Sequence, residues 1–561
     1  MLKKGLKFFI AMLLTLSMVV SIAGCGKTEE SAATSGAAPS TAGTSTAGES
    51  TAAESSAAAY DFSQPLKIVF YWNYSWKVVN KKFEDTIIGK ELQKLTNTTI
   101  EIQSPSGNEN EKLNLMIASD SLPDVIMMDR NEAYKKLIDL DKLVDLTPYY
   151  EKYPGYRTQA DPATVNFSKV NGKIYSLLNW STTPNHPTGN GGWGVNNKIY
   201  QEMGSPALNT LDDLYNYLKA VKDKGYKSNG KEVVPMQLDA GNFQNGLYQL
   251  YFSFGGIGTI STEDMVYVDG DGLKFFMQDP RWEQAMLYAN KLWKDGLMNK
   301  DFFVETSQQM NDKRDTGRMA VYTSSNVVNE MRDGKMAWQK IDPAADYKVI
   351  EPPAGGGFDQ SKIANATFQT LGWNSICITK NAKDPERIFQ TLDWIATPEG
   401  QLLTFYGPKG QLYNELDEKG YPILIKQRSD LSNEEANTLD CEEFSTPGMS
   451  EWCDFSKVAA NDRAATKDFV ITSQAEITWK HSANVTEFAN IFTDANSPEG
   501  VAFKSVQDMV RKQIPKIVMA KSEDECKSII KDTIDQAYKL KFESVEQYKT
   551  KLWKENLEKM K

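Results

Sequence analysis

The sequence predicts an α/β protein of at least two lobes with a helical C-terminus, and three observations carry that reading. At 561 residues the chain exceeds the roughly 250–300 at which a single hydrophobic core stops growing. Between residues 66 and 128, apolar runs of strand length alternate with helix-length segments, the rhythm of a parallel sheet with crossover helices. Near the end, Ser522 with Glu525 and Ser544 with Gln547 have the spacing of helix-starting capping boxes before two amphipathic stretches.

The elements follow in order. Lys3, Lys4 and Lys7 precede an almost uninterrupted apolar stretch from Phe8 to Val20. About 13 residues are too few to span a bilayer core of roughly 30 Å, but they suit the apolar region of a signal peptide. The stretch ends in Ile22-Ala23-Gly24-Cys25, where small residues before a cysteine resemble the lipobox of bacterial lipoproteins. That resemblance implies cleavage after Gly24 and a diacylglycerol on the Cys25 thiol, which would leave the chain anchored to a membrane. The alternative is a plain secretory signal with an incidental cysteine. Residues 26–59 are dense in Ser, Thr, Gly and Ala, and apart from Ala they hold no apolar residue. Nothing there offsets the entropy of ordering, so a flexible tether is expected.

Leu66, Ile68 and Phe70 alternate with Lys67, Val69 and Tyr71 as a first strand. A helix is expected around Val79–Leu95, a strand over Thr98–Ile102, a helix over Asn114–Ser119, and a short strand from Asp124 to Met128 after Pro123. Thr210 with Asp213 resembles a capping box and opens a helix bearing Leu211, Leu214, Leu218 and Val221. Asp279-Pro280 supplies a cap and a first-turn proline for Trp282, Ala285, Met286, Ala289, Leu292 and Trp293 on one face. Asp384-Pro385 does the same for Ile388, Leu392 and Ile395. Between the strand-like runs Met265–Val268 and Leu273–Phe276, Asp269-Gly270-Asp271-Gly272 lacks the later ligands of a calcium loop and is expected to be a hairpin turn. Gly355-Gly356-Gly357 is followed by no Gly-Lys-Ser/Thr, so it is not a phosphate loop.

Composition removes several function classes. Asp and Glu number 74 against 63 Lys and Arg, a net charge of −11 that reaches −14 once the three signal lysines are gone. With no basic run beyond the N-terminal segment, nucleic acid is an unsuitable partner. Only His186 and His481 are present, which leaves little for a His-rich metal centre or an imidazole-based triad. No metal and no cofactor are expected. Cys377, Cys441, Cys453 and Cys526 are scattered; Cys441 and Cys453 flank a short loop and could bridge, but there is no CxxC and no disulfide scaffold.

The series of motifs from the lipobox onward resembles the long substrate-binding lipoproteins of bacterial ABC importers, the extracellular solute-binding family 1 type. It comprises SDSLPDVIMMD (119–129), NGKIYSL (171–177), LDDLYNYLKAVKD (211–223), DPRWEQAMLYANKLWKDGLMNKDFF (279–303), GRMAVYTSSN (317–326) and GWNSICITKNAKDPERIFQTLDWI (372–395). The resemblance implies a two-lobed periplasmic-binding-protein-like fold with a hinge and a ligand cleft between the lobes. The implied division is 1–24 signal peptide, 25–60 lipidated cysteine and linker, 61–178 plus about 347–400 as lobe 1, and about 179–346 plus 401–561 as lobe 2. Some members of that family carry an Asp-rich calcium loop after the helix matching 211–223; here the stretch from Lys224 to Gly230 has no such ligand set.

A sugar ring offers apolar faces and a hydroxyl rim, so its site needs aromatic platforms beside carboxylates and amides. Trp282, Trp293, Trp394 and Trp553 belong to amphipathic helices and are assigned to packing. Trp72, Asn73 and Trp76 follow the first strand, at the carboxyl end where ligands gather in such sheets. Trp193 lies among Gly191, Gly192 and Gly194, which suggests a close approach to the backbone. Trp373 matches a family loop where an aromatic lines the cleft, and Trp452 with Asp454 sits in a polar loop. Tyr322 and Asn326 end the GRMAVYTSSN run, another cleft-facing position in relatives. Asp129 closes its strand at the carboxyl end, while Asp124 opens it and equally suits a structural connection. Asn242 and Phe243 form a polar loop with one aromatic, suited to hydroxyls or to a turn.

These features favour a non-catalytic, monomeric receptor that captures a carbohydrate, in particular an oligosaccharide, and presents it to the permease subunits of an ABC importer at the outer face of a bacterial membrane. The alternatives are a surface-tethered glycosidase or lyase, for which a pair of carboxylates would suffice, and an adhesive surface protein, against which the α/β pattern stands.

Overall fold

The structure is a computed structural model that describes residues 58–74, 82–106, 108–183, 187, 189–238, 243–256, 265–372, 374–426, 431–439, 470–494 and 496–561. The expected signal segment, Cys25, the expected linker to residue 57, and the loop of Cys441 and Cys453 lie outside the described residues.

The main strands are β1 (Leu66–Trp72), β2 (Thr98–Gln103), β3 (Val125–Asp129), β4 (Leu177–Asn179), β5 (Gly192–Asn196), β6 (Val234–Leu238), β7 (Met319–Ser324), β8 (Tyr347–Ile350), β9 (Ala366–Phe368), β10 (Asn374–Ile378) and β11 (Ser482–Asn484). They form two principal sheets. The first has the order β2-β1-β3-β10-β4, with β1 parallel to β2 and β3, and with β10 antiparallel to β3 and β4. Its central strands β3 and β10 are buried along nearly their whole length, as strands covered on both faces require. Ile68, Phe70, Val125, Met127 and Ile376 pack on one side, and Tyr71, Ile126, Met128 and Cys377 on the other. The second sheet runs β8-β5-β7-β6, with β7 parallel to β6 and antiparallel to β5. Its core of Val195, Met236, Leu238, Val321 and Val349 continues into Val506, Val510, Ile514 and Trp553 of the C-terminal helices.

Each sheet thus builds its own lobe. The chain passes between them at 180–191, at 351–373, and between 439 and 470. β9 and β11 pair in parallel in the connecting region, over a small cluster of Ala364, Phe368 and Ala483 that is separate from both lobe cores. Thr182 N donates to Thr370 O at 3.0 Å, and Thr370 N donates to Thr486 Oγ1 at 3.0 Å, so three connecting segments lie side by side.

The partition differs from the expected one in two places. β8 pairs with β5 and belongs to the second lobe, whereas residues near 347 were expected in the first. Leu403, Phe405, Tyr406, Leu412 and Leu439 pack into the first lobe's core, although 401 onward was expected in the second. Neither is written locally: both depend on which sheet a segment finds as a neighbour.

Local signals translate well. The helix expected near Val79–Leu95 is a short 3₁₀ turn, Phe83–Asp85, followed by Ile87–Thr96. Thr86 caps the latter by accepting from Gly89 N at 3.0 Å. Gly89 is obligatory there, because a Cβ would lie 2.0 Å from Phe83 O. The helix Glu109–Ala118 starts earlier than expected. Leu211–Lys224 begins with the full Thr210–Asp213 capping box, and Asp279 and Asp384 cap Pro280–Lys294 and Pro385–Ile395. The 266–275 segment is the expected hairpin. Ser522 caps Glu523–Lys539, but Ser544 is not a cap. The last helix, Phe542–Lys559, begins three residues before a Ser544 cap would start it, and the Ser544 hydroxyl donates to Lys541 O at 2.9 Å inside its first turn. No helix among the described residues is long and apolar enough to cross a membrane.

Candidate functional site at the edge of the first lobe

The apolar face of the first sheet ends in a polar row. Ile376 stands between Met127 and Leu177 in register; two residues nearer the strand ends, Asn374 stands between Asp129 and Asn179. Because side chains alternate along a strand, this last row continues the same face. Asn179 Nδ2 donates to Asn374 Oδ1 at 2.7 Å, and both residues are fully buried. Beyond the end of β1 the backbone stays on β3, since Asn73 N donates to Met127 O at 2.9 Å. This carries Tyr74 over the row, where its hydroxyl donates to Asp129 Oδ1 at 2.9 Å. The Tyr74 ring meets Trp72 edge-on, with centroids 6.3 Å apart. Asn73 is buried, and its Oδ1 accepts no hydrogen bond among the described residues.

Burial pushes the Asp129 carboxyl up to about 6, against the opposing effect of the Tyr74 hydrogen bond. Burial likewise holds the Tyr74 phenol well above its usual value. Arg130, next in the chain, is not part of the row. Its Nη1 donates to Gly372 O at 2.8 Å, and burial lowers the pKa of its guanidinium. The row therefore offers amides, one phenol and one carboxyl group, a set suited to hydroxyl groups that both donate and accept.

Of the residues expected to bind ligand, Trp72, Asn73 and Asp129 converge on this edge. Asp124 lies at the other end of β3, and its carboxylate accepts from Val69 N at 2.8 Å. It holds the strand connection, the structural one of its two expected roles. Trp193 is fully buried within β5 between Thr323 and Ile350, inside the second lobe's core. The close approach signalled by its glycines is that of the connecting segment: a Cβ on Gly191 would lie 2.6 Å from Asn365 O. Tyr322 is 1% exposed in the same core, with its hydroxyl 3.7 Å from Met310 Sδ. Both rings pack in the second lobe's core, whereas the polar row belongs to the first sheet, so the structure does not bring them together with Trp72, Asn73 and Asp129.

Asn326 follows the carboxyl end of β7. Its backbone N donates to Ser324 Oγ at 3.0 Å and its Oδ1 accepts from Asn329 Nδ2 at 2.7 Å. The Ser324 hydroxyl donates to Glu330, whose carboxyl burial pushes upward. Phe243 opens the helix Phe243–Ser253. Trp76, Asn242, Trp373, Trp452 and Asp454 lie outside the described residues. Sequence reasoning missed Tyr74, Asn179 and Asn374. The available signal was a polar residue ending an otherwise apolar strand, as in Leu177-Leu178-Asn179. Among the described residues no cluster of three or more His, Cys, Asp or Glu could hold a metal ion.

Residues 74–402 match one family, described as bacterial extracellular solute-binding protein. The chain belongs to that family. It is a family of binding proteins rather than enzymes. This solute-binding protein is 26% identical over 360 residues to Lipoprotein LipO of Bacillus subtilis, covering 61% of this chain and 66% of the relative. It is 23% identical over 346 residues to the polygalacturonan/rhamnogalacturonan-binding protein YtcQ of the same organism, covering 61% and 66%. Just under two thirds of each relative's length is therefore spanned. The structure of the ABC-transporter substrate-binding protein FusA of Streptococcus pneumoniae in complex with kestose superposes with a TM-score of 0.65 at 18% identity, covering 87% of this chain and 99% of that one.

Proposed function

We propose that this solute-binding protein is a monomeric, non-catalytic receptor that captures a carbohydrate, in particular an oligosaccharide, between its lobes and delivers it to the permease of an ABC importer. It would be held at the outer face of the membrane through lipid on Cys25, with residues 26–59 as the tether.

The observation that carries the carbohydrate reading is the row Asn179–Asn374–Asp129 with Tyr74 above it and Asn73 beside it. Amides and a carboxylate in fixed register recognise a hydroxyl pattern by direction, and Trp72 beside them and Trp76 and Trp373 next to them in the chain are the candidate ring platforms. Relatives named for fructooligosaccharide and for polygalacturonan/rhamnogalacturonan binding support the same class. Asn326 is the proposed contribution from the second lobe. In this reading Asp129 acts as the ionised acceptor of ligand hydroxyls.

A thermal-melt screen of the purified protein against a panel of oligosaccharides tests the proposal. A ligand at 100 times its dissociation constant adds about 2.7 kcal/mol to the folded state. For a chain of this size unfolding together, that is a shift of roughly 2–3 °C. A shift with the sugar recovered intact by chromatography is the expected outcome. A shortened sugar would overturn the non-catalytic part, and no shift with any sugar would withdraw carbohydrate as the ligand.

A further inference from the structure

Arg130 leaves β3 immediately after Asp129, the carboxyl member of the polar row. Its Nη1 donates to Gly372 O at 2.8 Å, in the turn that leads into β10. Gly372 stands two residues before Asn374, the middle member of the row. The residue flanking the row on β3 thus holds a residue flanking it on β10.

The same turn is confined from the other side. Gly372 N donates to Gln369 O at 3.1 Å, and the Gly372 backbone is left-handed, φ 73°. A Cβ there would lie 1.8 Å from Asn179 O, so the turn lies directly against the end of β4. Asn179 is the row's third member, and its amide donates to Asn374 Oδ1. Close contact with β4 limits the turn on one side, and the guanidinium, a donor of fixed direction, fixes it on the other.

As scaffold alone, this is a costly arrangement. Nη2 of Arg130 is buried and has no hydrogen-bond partner among the described residues. The ionisable groups acting most on its charge are Tyr134, Cys377, Tyr74 and Tyr156; burial raises each, so all are neutral at ordinary pH. An apolar side chain often replaces so poorly compensated a buried cation with no loss of stability. The guanidinium therefore calls for a reason other than packing. A carboxyl group that does feel its charge is Asp129: Arg130 favours its ionised form, while burial and the Glu109 carboxylate oppose it.

We infer that Arg130 is the positioning residue of the row. Its hydrogen bond holds the Gly372 turn, and with it the Asn374 amide, in register with Asp129 and Asn179. Its charge keeps Asp129 an acceptor. The first task needs a donor of fixed direction, the second any cation. Only the expected effect on affinity rests on reading the row as the sugar site.

Arg130→Met and Arg130→Lys separate the two tasks, with melting curves to check that both variants fold; Arg130→Gln replaces the first if it does not. In ligand-free protein the Asp129 titration is followed by NMR and assigned by its absence in Asp129→Asn. It should move up from about 6 in Arg130→Met and stay near the wild-type value in Arg130→Lys. The Asn374 side-chain amide signals, assigned by their loss in Asn374→Asp, should shift in both variants. Affinity for an oligosaccharide that the wild type binds should fall more than tenfold in Arg130→Met and several-fold in Arg130→Lys. An Asp129 titration that ignores Arg130→Met would overturn the electrostatic task. Unshifted Asn374 signals, or full affinity in Arg130→Lys, would overturn the positioning one. If the wild type binds no sugar, the carbohydrate reading fails, while the two ligand-free signals still decide the role of Arg130.

Discussion

The two lobes finish their sheets differently. In the first, the last in-register row is Asn179, Asn374 and Asp129, with Tyr74 closing over it. In the second, β5 and β7 keep Trp193 and Tyr322 inside the core, and β7 ends in the single hydroxyl of Ser324, with Asn326 and Glu330 following in the turn and helix beyond it. An amide or carboxyl group fixed by sheet register is already oriented before ligand arrives, and little ordering cost remains. Groups in a strand-to-helix turn depend on that turn's own conformation. In the proposed site the first lobe would thus supply the built half, and the second the adaptable half.

The largest effect that separates the lobes is on stability. Trp193→Ala empties a core position and should cost about 3–5 kcal/mol in denaturant unfolding. If a milder Trp193→Phe variant kept its stability but lost sugar binding, the assignment of Trp193 to the core alone would break. Next comes Asp129→Asn, which exchanges a charge-assisted acceptor for an amide. Binding should weaken roughly tenfold or more by calorimetry, with the fold retained. Unchanged affinity would remove the first lobe's edge from the site.

The Asp129 titration sharpens the same point. Its carboxyl is raised from 3.8 to about 6, so the folded state takes up a proton more readily than the unfolded one. This contribution to stability is fully present below 3.8 and is lost as pH rises toward about 6. Binding should run the opposite way, tightening as pH rises through about 6 and the carboxylate forms. Stability and affinity measured from pH 4.5 to 8 should therefore cross, and Asp129→Asn should flatten both curves. Tyr74→Phe deletes the hydrogen bond that opposes the raised value. It should move the titration upward and weaken binding several-fold, within the ~1 kcal/mol of a neutral hydrogen bond. Smallest of all, Asn326→Ala should change stability by less than about 1 kcal/mol and affinity only a few-fold. A larger loss of binding than for Asp129→Asn would reverse the comparison between the lobes.

Much of the scaffold is legible along the chain because its causes are local. Alternating apolar residues announce β1. Asp384-Pro385 and the Thr210–Asp213 pair announce helix starts, because the cap satisfies backbone donors within the next turn. Even there Ser544 misled: Lys541 begins the last helix in a left-handed conformation, φ 70°, and leaves the serine inside the first turn. The site was legible only in part. Asp129 and Asn73 lie at the carboxyl strand ends to which the sequence pointed, whereas Trp193, inside the second lobe's core, and Trp72, at the first sheet's edge, cannot be told apart by their neighbours in sequence.

The sequence by itself determined the α/β class, the need for more than one core, most strand and helix positions, and the tethered N-terminus it predicts. Short-range periodicity, capping and composition suffice for these. Tertiary structure alone decided that 347–350 pair in the second lobe and that Leu403–Leu412 and Leu439 pack in the first, that Asn374 comes beside Asp129 and Asn179, and that Glu351 reaches His481. Each of these depends on strand register and on partners more than a hundred residues apart. No local preference encodes such contacts, because their free energy exists only once the chain has folded back on itself.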